Sequence, residues 1–202
     1  VSLAWPLMVD ATPATARQLA RSFWPGPLTL VLPKKPVVPG IVTSGGPTVA
    51  IRAPAHPLAR RLLRLAKIPL AAPSANLFGY ISPTTAAHVR EGLGGRITHI
   101  LDGGVCPVGL ESTVLDVTNP KKPQILRPGA VTIAQLEIFL GRKVTEAKTR
   151  GSTARQLSPG LLERHYSPRT PLVLRRAAGQ VPPGIAVVLL RNPGKHTAQH
   201  VF

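Results

Sequence analysis

The sequence predicts an α/β fold. Apolar runs of strand length alternate with segments of helical spacing along residues 12–140, the pattern of a sheet with helices packed on it. Hydrophobic residues make up 44% of the chain against 16% charged, enough apolar surface for most of it to fold. With 202 residues there is room for one full core and part of a second unit.

The elements follow in order. Thr12-Pro13 offers a capping hydroxyl and then proline at the first helical position. Ala16, Leu19, Ala20 and Phe23 continue at helical spacing with Arg17 and Arg21 outside. Pro25-Gly26-Pro27 ends that helix, and residues 28–32 (LTLVL) form a buried strand. A loop rich in proline and glycine (37–47) leads into a second strand over 48–53. Residues 56–66 are helical, with Leu58, Leu62, Leu63 and Leu65 inward and Arg60, Arg61 and Arg64 outward as a solvated face. A short apolar strand over 68–72 runs into the turn Pro73-Ser74-Ala75-Asn76. Ser82-Pro83 opens a helix through Val89 and Leu93, and residues 97–101 form a strand ending at Asp102-Gly103-Gly104. Residues 112–117 and 124–126 are two more strands. Thr132 with Gln135 makes a capping box for a helix to Leu140.

The composition shifts near Gly141. Residues 1–141 carry a net charge of +8, and residues 142–202 carry +9 in fewer than half as many positions. Residues 142–159 lack apolar periodicity and read as a linker, whereas 171–174 and 185–190 predict strands of a small second unit. The expected organisation is therefore a domain over 1–141, a linker over 142–170 and the start of an α/β domain over 171–202.

Several functional classes are excluded. The single cysteine, Cys106, cannot form an internal disulfide and reads as a buried small residue or an inert loop thiol. No apolar run reaches the roughly 18 residues of a membrane span, and the first residues lack the basic region of a signal peptide. The absence of targeting signals and disulfides predicts a cytoplasmic protein. The overall charge of +17 and pI near 11.6 make anions the expected partners. No P-loop, GxSxG or GxGxxG pattern is present, nor a serine–histidine–acid order of a hydrolase.

Polar residues that could carry chemistry gather at predicted strand ends, and in open α/β sheets ligands bind beyond the carboxyl ends of strands. Ser74 and Asn76 follow one strand, Glu111-Ser112-Thr113 opens another, and Arg127 follows a third. Thr48 and Arg52 share one face of their strand. Hydroxyls, an amide and arginines converging on one face suit phosphate and carboxylate groups. Each residue also has a plainer reading: Ser74 and Asn76 as turn formers, Arg52 paired with Asp102 or Glu111, Arg127-Pro128-Gly129 as a turn before a helix, His165 and Tyr166 as surface residues.

Five segments occur in a fixed order: FWPGPLTLVL (23–32), TVAIRAPAHP (48–57), APSANLFGYISPT (72–84), GLESTVLDV (109–117) and ILRPGAVT (125–132). Together they resemble the YrdC-like family, the threonylcarbamoyl-AMP synthases. SPGLLERHYSP (158–168) resembles the interdomain segment of that family's long, two-domain form. The resemblance implies a YrdC-like twisted, mixed open sheet with flanking helices, followed by part of a small Rossmann-like second domain. It implies a reaction of L-threonine, bicarbonate or CO₂, and ATP that gives threonylcarbamoyl-AMP and pyrophosphate. ATP is then a substrate accompanied by Mg²⁺, and no tightly bound cofactor is expected.

By the same resemblance Thr48, Ser74, Asn76, Ser82, Arg127 and Tyr166 fall on the ATP side, with Tyr166 on a lid-like linker. Arg52, Ala72 and Ser112 fall on the threonine side. The implied downstream partner is a transferase that modifies adenosine 37 of tRNA, with a weak tRNA contact from the basic surface and no membrane. The family's PTxTxYGL segment and KxR stretch have no counterpart here, so the 202 residues alone are expected to show little synthase activity. A basic RNA-binding module and a non-catalytic paralogue of the same fold are the alternatives. Only eight aromatic residues are present, and they do not alternate with basic ones as in a base-stacking platform.

Overall fold

The computed structural model describes residues 8–10, 12–77 and 79–147. They form a mixed α/β structure on an open five-stranded sheet. The strands are β1 (Leu28–Pro33), β2 (Thr48–Ile51), β3 (Thr113–Asp116), β4 (Gln124–Arg127) and β5 (Thr145–Glu146), in the order β2-β1-β3-β4-β5. β1 pairs antiparallel with β2 and parallel with β3, β3 pairs antiparallel with β4, and β4 parallel with β5. The helices are α1 (Ala14–Phe23), α2 (Pro57–Ala66), α3 (Ala86–Leu93) and α4 (Ile133–Leu140).

Alternation along the strands sends side chains to two faces. One face carries Leu28, Leu30, Leu32, Val49, Ile51, Leu115 and Ile125 and packs against Ala16, Leu19 and Ala20 of α1 and Leu136 of α4. Each fully buried leucine there contributes roughly 1.5–3 kcal/mol. The other face holds a much smaller cluster, Val31, Val114 and Leu126. Phe23 and Phe139 meet edge to face, 5.3 Å between ring centroids, and tie α1 to α4.

Helix ends agree only in part with the sequence signals. The Thr132/Gln135 capping box at α4 forms as expected, and the helix ends at Gly141 with φ of 62°. At α1 the capping position is Pro13 and no side chain caps it. Thr12 instead offers its carbonyl to Arg17 Nη1 at 2.5 Å. α3 starts at Ala86 rather than at Ser82-Pro83, because Thr85 Oγ1 accepts from the His88 N–H while the Ser82 hydroxyl is engaged elsewhere.

The segments 68–72 and 97–101 are not strands. The first has no ladder, and the second has only one isolated bridge, between Gly94 and Ile97. A strand needs a neighbour along its length to satisfy its backbone, and no continuous ladder forms beside these segments among the described residues. Their apolar side chains are correspondingly exposed, as with Ile68 and Leu101. The same holds on α2, where Leu62 and Leu65 face outward although their spacing predicts burial. β5 lies beyond Gly141 and pairs with β4, so the sheet extends past the point where the sequence places the linker. Residues 148–170 of that linker and the expected second unit over 171–202 lie outside the described residues.

One irregularity shapes the end of β4. Val114 faces Arg127, but Leu115 faces Ile125, so Leu126 is an extra residue. This bulge rotates the chain locally. It places Leu126 in the small cluster with Val114 and brings Arg127 to the same face, where strict alternation would send it to the Ile125 side.

Just beyond, the chain is clamped to β3. The buried Thr113 hydroxyl donates to the Val131 carbonyl at 2.6 Å and accepts from the Val131 N–H at 3.0 Å. Gly129 sits so close to the start of β3 that a Cβ would lie 2.4 Å from the Glu111 oxygen and 2.5 Å from the Thr113 nitrogen.

Two substitutions test this clamp by urea unfolding. Thr113→Val leaves both Val131 backbone groups unpaired and is expected to cost about 2–3 kcal/mol. Gly129→Ala must part the backbone from β3 and is expected to cost about 1–3 kcal/mol, while Pro128→Ala, at an exposed neighbour, leaves the midpoint within about 0.5 kcal/mol.

Candidate functional site

β1 and β3 begin side by side, Leu28 against Thr113, and β2 and β4 finish at the same end of the sheet. The polar residues therefore gather at the amino ends of the parallel pair, not beyond its carboxyl ends as the general rule for open sheets predicts. The antiparallel neighbours β2 and β4 account for the difference, since their carboxyl ends arrive there.

Ser112 is at the centre and is 6% exposed. A buried hydroxyl needs partners. Its Oγ lies 2.8 Å from Thr29 Oγ1 on β1, and Arg127 Nη2 donates to it at 3.0 Å. Arg127 Nε and Nη2 both donate to the Ser112 carbonyl, at 3.1 and 2.8 Å, and Nη1 pairs with Glu111 Oε2. Glu111 Oε1 accepts from the Ser82 hydroxyl at 2.5 Å. One network thus joins β1, the loop at Ser82, the start of β3 and the end of β4.

Arg52 follows Ile51, which pairs with Leu30, so continuing that register sets it opposite Thr29, on the exposed face of β2. Of the two partners open to it in the sequence, Glu111 is held by Arg127. The other, Asp102, caps its own turn, accepting from Gly104 N–H at 2.8 Å. Arg52 has no ion pair among the described residues. Nearby protein withholds some of its hydration and pulls its pKa below the ordinary arginine value, without approaching neutrality at physiological pH.

The remaining expected site residues are scattered. Thr48 opposes Pro33, four residues and about 13 Å along β2 from Arg52, and is not part of the network. Ala72 and Ser74 are exposed in an irregular segment. Asn76 folds the following turn, donating to the Leu77 and Tyr80 carbonyls at 2.9 and 2.8 Å. Its Oδ1 is buried with no hydrogen bond among the described residues. Tyr166 and His165 lie outside the described residues. Cys106 is exposed, so it is not a buried small residue. Arg60, Arg61 and Arg64 are exposed along α2, as a solvated face requires.

Sequence reasoning did not single out Thr29, read Gly129 only as part of a turn, and took Glu111 as one polar residue at a strand start and as a possible partner for Arg52. Thr29 had a signal: it is the one hydroxyl inside the apolar run LTLVL. Chemically the arrangement brings guanidinium and hydroxyl groups together, residue types that suit an anion. Among the described residues no group of three or more His, Cys, Asp or Glu could hold a metal ion, and no helix is long and apolar enough to cross a membrane.

The family model of Sua5, YciO and YrdC, described as telomere recombination, matches residues 4–129. A second, the C-terminal domain of threonylcarbamoyl-AMP synthase, matches residues 131–198. The chain is 45% identical over 169 residues to the threonylcarbamoyl-AMP synthase of Pyrococcus abyssi, covering 83% of this chain and 49% of that protein. It is 46% identical over 168 residues to the Bacillus subtilis enzyme of the same name, covering 83% and 48%. The crystal structure of P. abyssi Sua5 complexed with L-threonine superposes with a TM-score of 0.77 at 40% identity, covering 94% of this chain and 52% of that one. The chain thus spans about half the length of the curated relatives it matches. With one family model matching well over half of its residues, and a fold shared with a solved relative, this chain belongs to the Sua5/YciO/YrdC family.

Proposed function

We propose that this chain carries the substrate site of an L-threonylcarbamoyladenylate synthase, which joins L-threonine, bicarbonate or CO₂, and ATP and releases pyrophosphate. The observation that carries this reading is the buried Ser112, held from both sides by Thr29 and Arg127, at the same sheet end as the exposed Arg52. A relative solved with L-threonine shares the fold. In this reading Arg52 takes the threonine carboxylate through its planar fork, and Ser112 and the Ala72 backbone complete the threonine side. Thr48, Ser74, Asn76, Ser82 and Arg127 serve the nucleotide, and Tyr166 covers it from the linker.

The chemistry asks mainly for positioning. The threonine amine captures CO₂ as a carbamate, and a carbamate oxygen attacks the α-phosphorus in line while pyrophosphate leaves. Such a reaction is accelerated by alignment and charge neutralisation, and needs no nucleophilic side chain. Mg²⁺ would arrive on the phosphates, whose oxygens and water suit it, since the donors described here favour anions. The product would pass to a transferase acting on adenosine 37 of tRNA, which places the protein in the cytoplasm, with the basic surface giving at most a weak tRNA contact. With β5 belonging to the sheet of the first domain, the linker and lid role falls to residues after β5, up to 170, ahead of the unit over 171–202.

Calorimetry on the purified chain tests the reading. L-Threonine is expected to bind, and Arg52→Ala and Ser112→Ala are each expected to weaken it by about 1–3 kcal/mol. Equal affinity in the parent and both variants overturns it. So does a chain that binds neither substrate but holds RNA at about 0.3 M salt, where nonspecific phosphate contacts are largely lost.

A further inference from the structure

We propose that Glu111 is a positioning residue of this site, which sets the hydrogen-bonding polarity of Ser82 and holds Arg127 against Ser112. The inference rests on the proposed function and assigns a role to a residue that contacts no substrate.

Its carboxylate is divided between two residues far apart in the chain. Oε1 receives the Ser82 hydroxyl at 2.5 Å, and Oε2 pairs with Arg127 Nη1. Its own backbone is fixed, because its carbonyl accepts from the Ala130 N–H at 3.2 Å and Gly129 is packed against it. The side chain is 24% exposed, so the carboxylate lies at the site rather than in open water.

A carboxylate is a poor direct contact for a polyphosphate, since like charges repel. It is a good organiser, because an ionised carboxylate only accepts hydrogen bonds. Ser82 must therefore spend its one proton on Glu111. What it has left is a pair of lone pairs, so it meets the nucleotide as an acceptor and fits a hydroxyl or amino group rather than a phosphate oxygen. On the other side, Glu111 holds the guanidinium in the orientation from which Nε and Nη2 grip the Ser112 carbonyl and hydroxyl. One carboxylate thus sets a nucleotide contact directly and a threonine contact through Arg127.

Two variants separate these effects from a merely structural role. Glu111→Gln is isosteric. Its amide oxygen can keep Arg127 in place, but its NH₂ faces Ser82 and reverses that hydroxyl's polarity. Glu111→Ala releases both partners. Binding of ATP and of L-threonine is measured separately by calorimetry on the full 202-residue chain, with the thermal midpoint as a check on folding. Glu111→Gln is expected to weaken ATP about tenfold, the scale of one lost hydrogen bond, and to leave L-threonine within about twofold. Glu111→Ala is expected to weaken both about tenfold. Should the alanine variant fail to fold, the glutamine variant decides alone.

ATP binding in Glu111→Gln as tight as in the parent, or tighter, overturns the inference, because the carboxylate would then only compete with the ligand's phosphates. A parent chain that binds neither ligand overturns the functional reading and this inference with it. A parent that binds both, with variants that match it, overturns this inference alone.

Discussion

The buried hydroxyl of Ser112 is the constraint on which the site end of the sheet depends. A hydroxyl withdrawn from water costs on the order of 1–3 kcal/mol unless it is paired, and its two partners here come from the two strands flanking β3. Thr29 reaches it from β1 and Arg127 from β4, while Glu111 beside it anchors the arginine. Each partner imposes a requirement of its own. A hydroxyl must interrupt the apolar run of β1. The extra residue Leu126 must turn Arg127 onto the right face. Gly129 must lack a side chain so that the chain after Arg127 can lie against Glu111 and Thr113. These local irregularities, which look unrelated along the sequence, answer one packing problem.

The division of the sheet into two faces follows from the same arrangement. The larger apolar cluster gathers on the face covered by α1 and α4. Among the described residues the opposite face has a small cluster, Val31, Val114 and Leu126, with Ala147 packed against it, and it is the face on which Thr29, Ser112 and Arg127 meet. Thr29 and Ser112 are buried there, so each hydroxyl is satisfied by the other, with Arg127 a further partner of Ser112. The Thr113 hydroxyl, on the helix-covered face, is spent entirely on Val131. Adjacent residues of one short motif therefore do different jobs: Ser112 faces the site and Thr113 holds the fold.

What was legible in the sequence was what is local. The α4 capping box, the buried stripe of α1 and the strands β1, β3 and β4 follow from side chains within a few positions of one another. What is not local was misread. Residues 68–72 and 97–101 are apolar enough for strands, but a strand exists only where a neighbour completes its hydrogen bonds, and period alone does not say whether one is present. Leu62 and Leu65 have helical spacing for burial, yet what they would pack against is a tertiary question. The site divided likewise. Ser112, Arg127 and Ser82 stood out by residue type and motif, whereas their common connection through Glu111 spans 29 positions from Ser82 and 16 from Arg127 and has no sequence signature.

The electrostatics of the site differ from what the overall charge suggests. A net +17 and two arginines at one sheet end imply a doubly positive surface for an anion. Glu111, however, already neutralises Arg127 across a close ion pair, and the Ser112 carbonyl takes two more of its donors. Of these two arginines, Arg52 has no ion pair among the described residues and is exposed just past the end of the edge strand. A compact anion with one negative charge, such as a carboxylate, is matched by that single guanidinium. A polyphosphate carries several charges and is not. Under the proposed function Arg52 therefore suits a carboxylate, and the charge that balances a triphosphate would come chiefly from groups outside the Ser112 network.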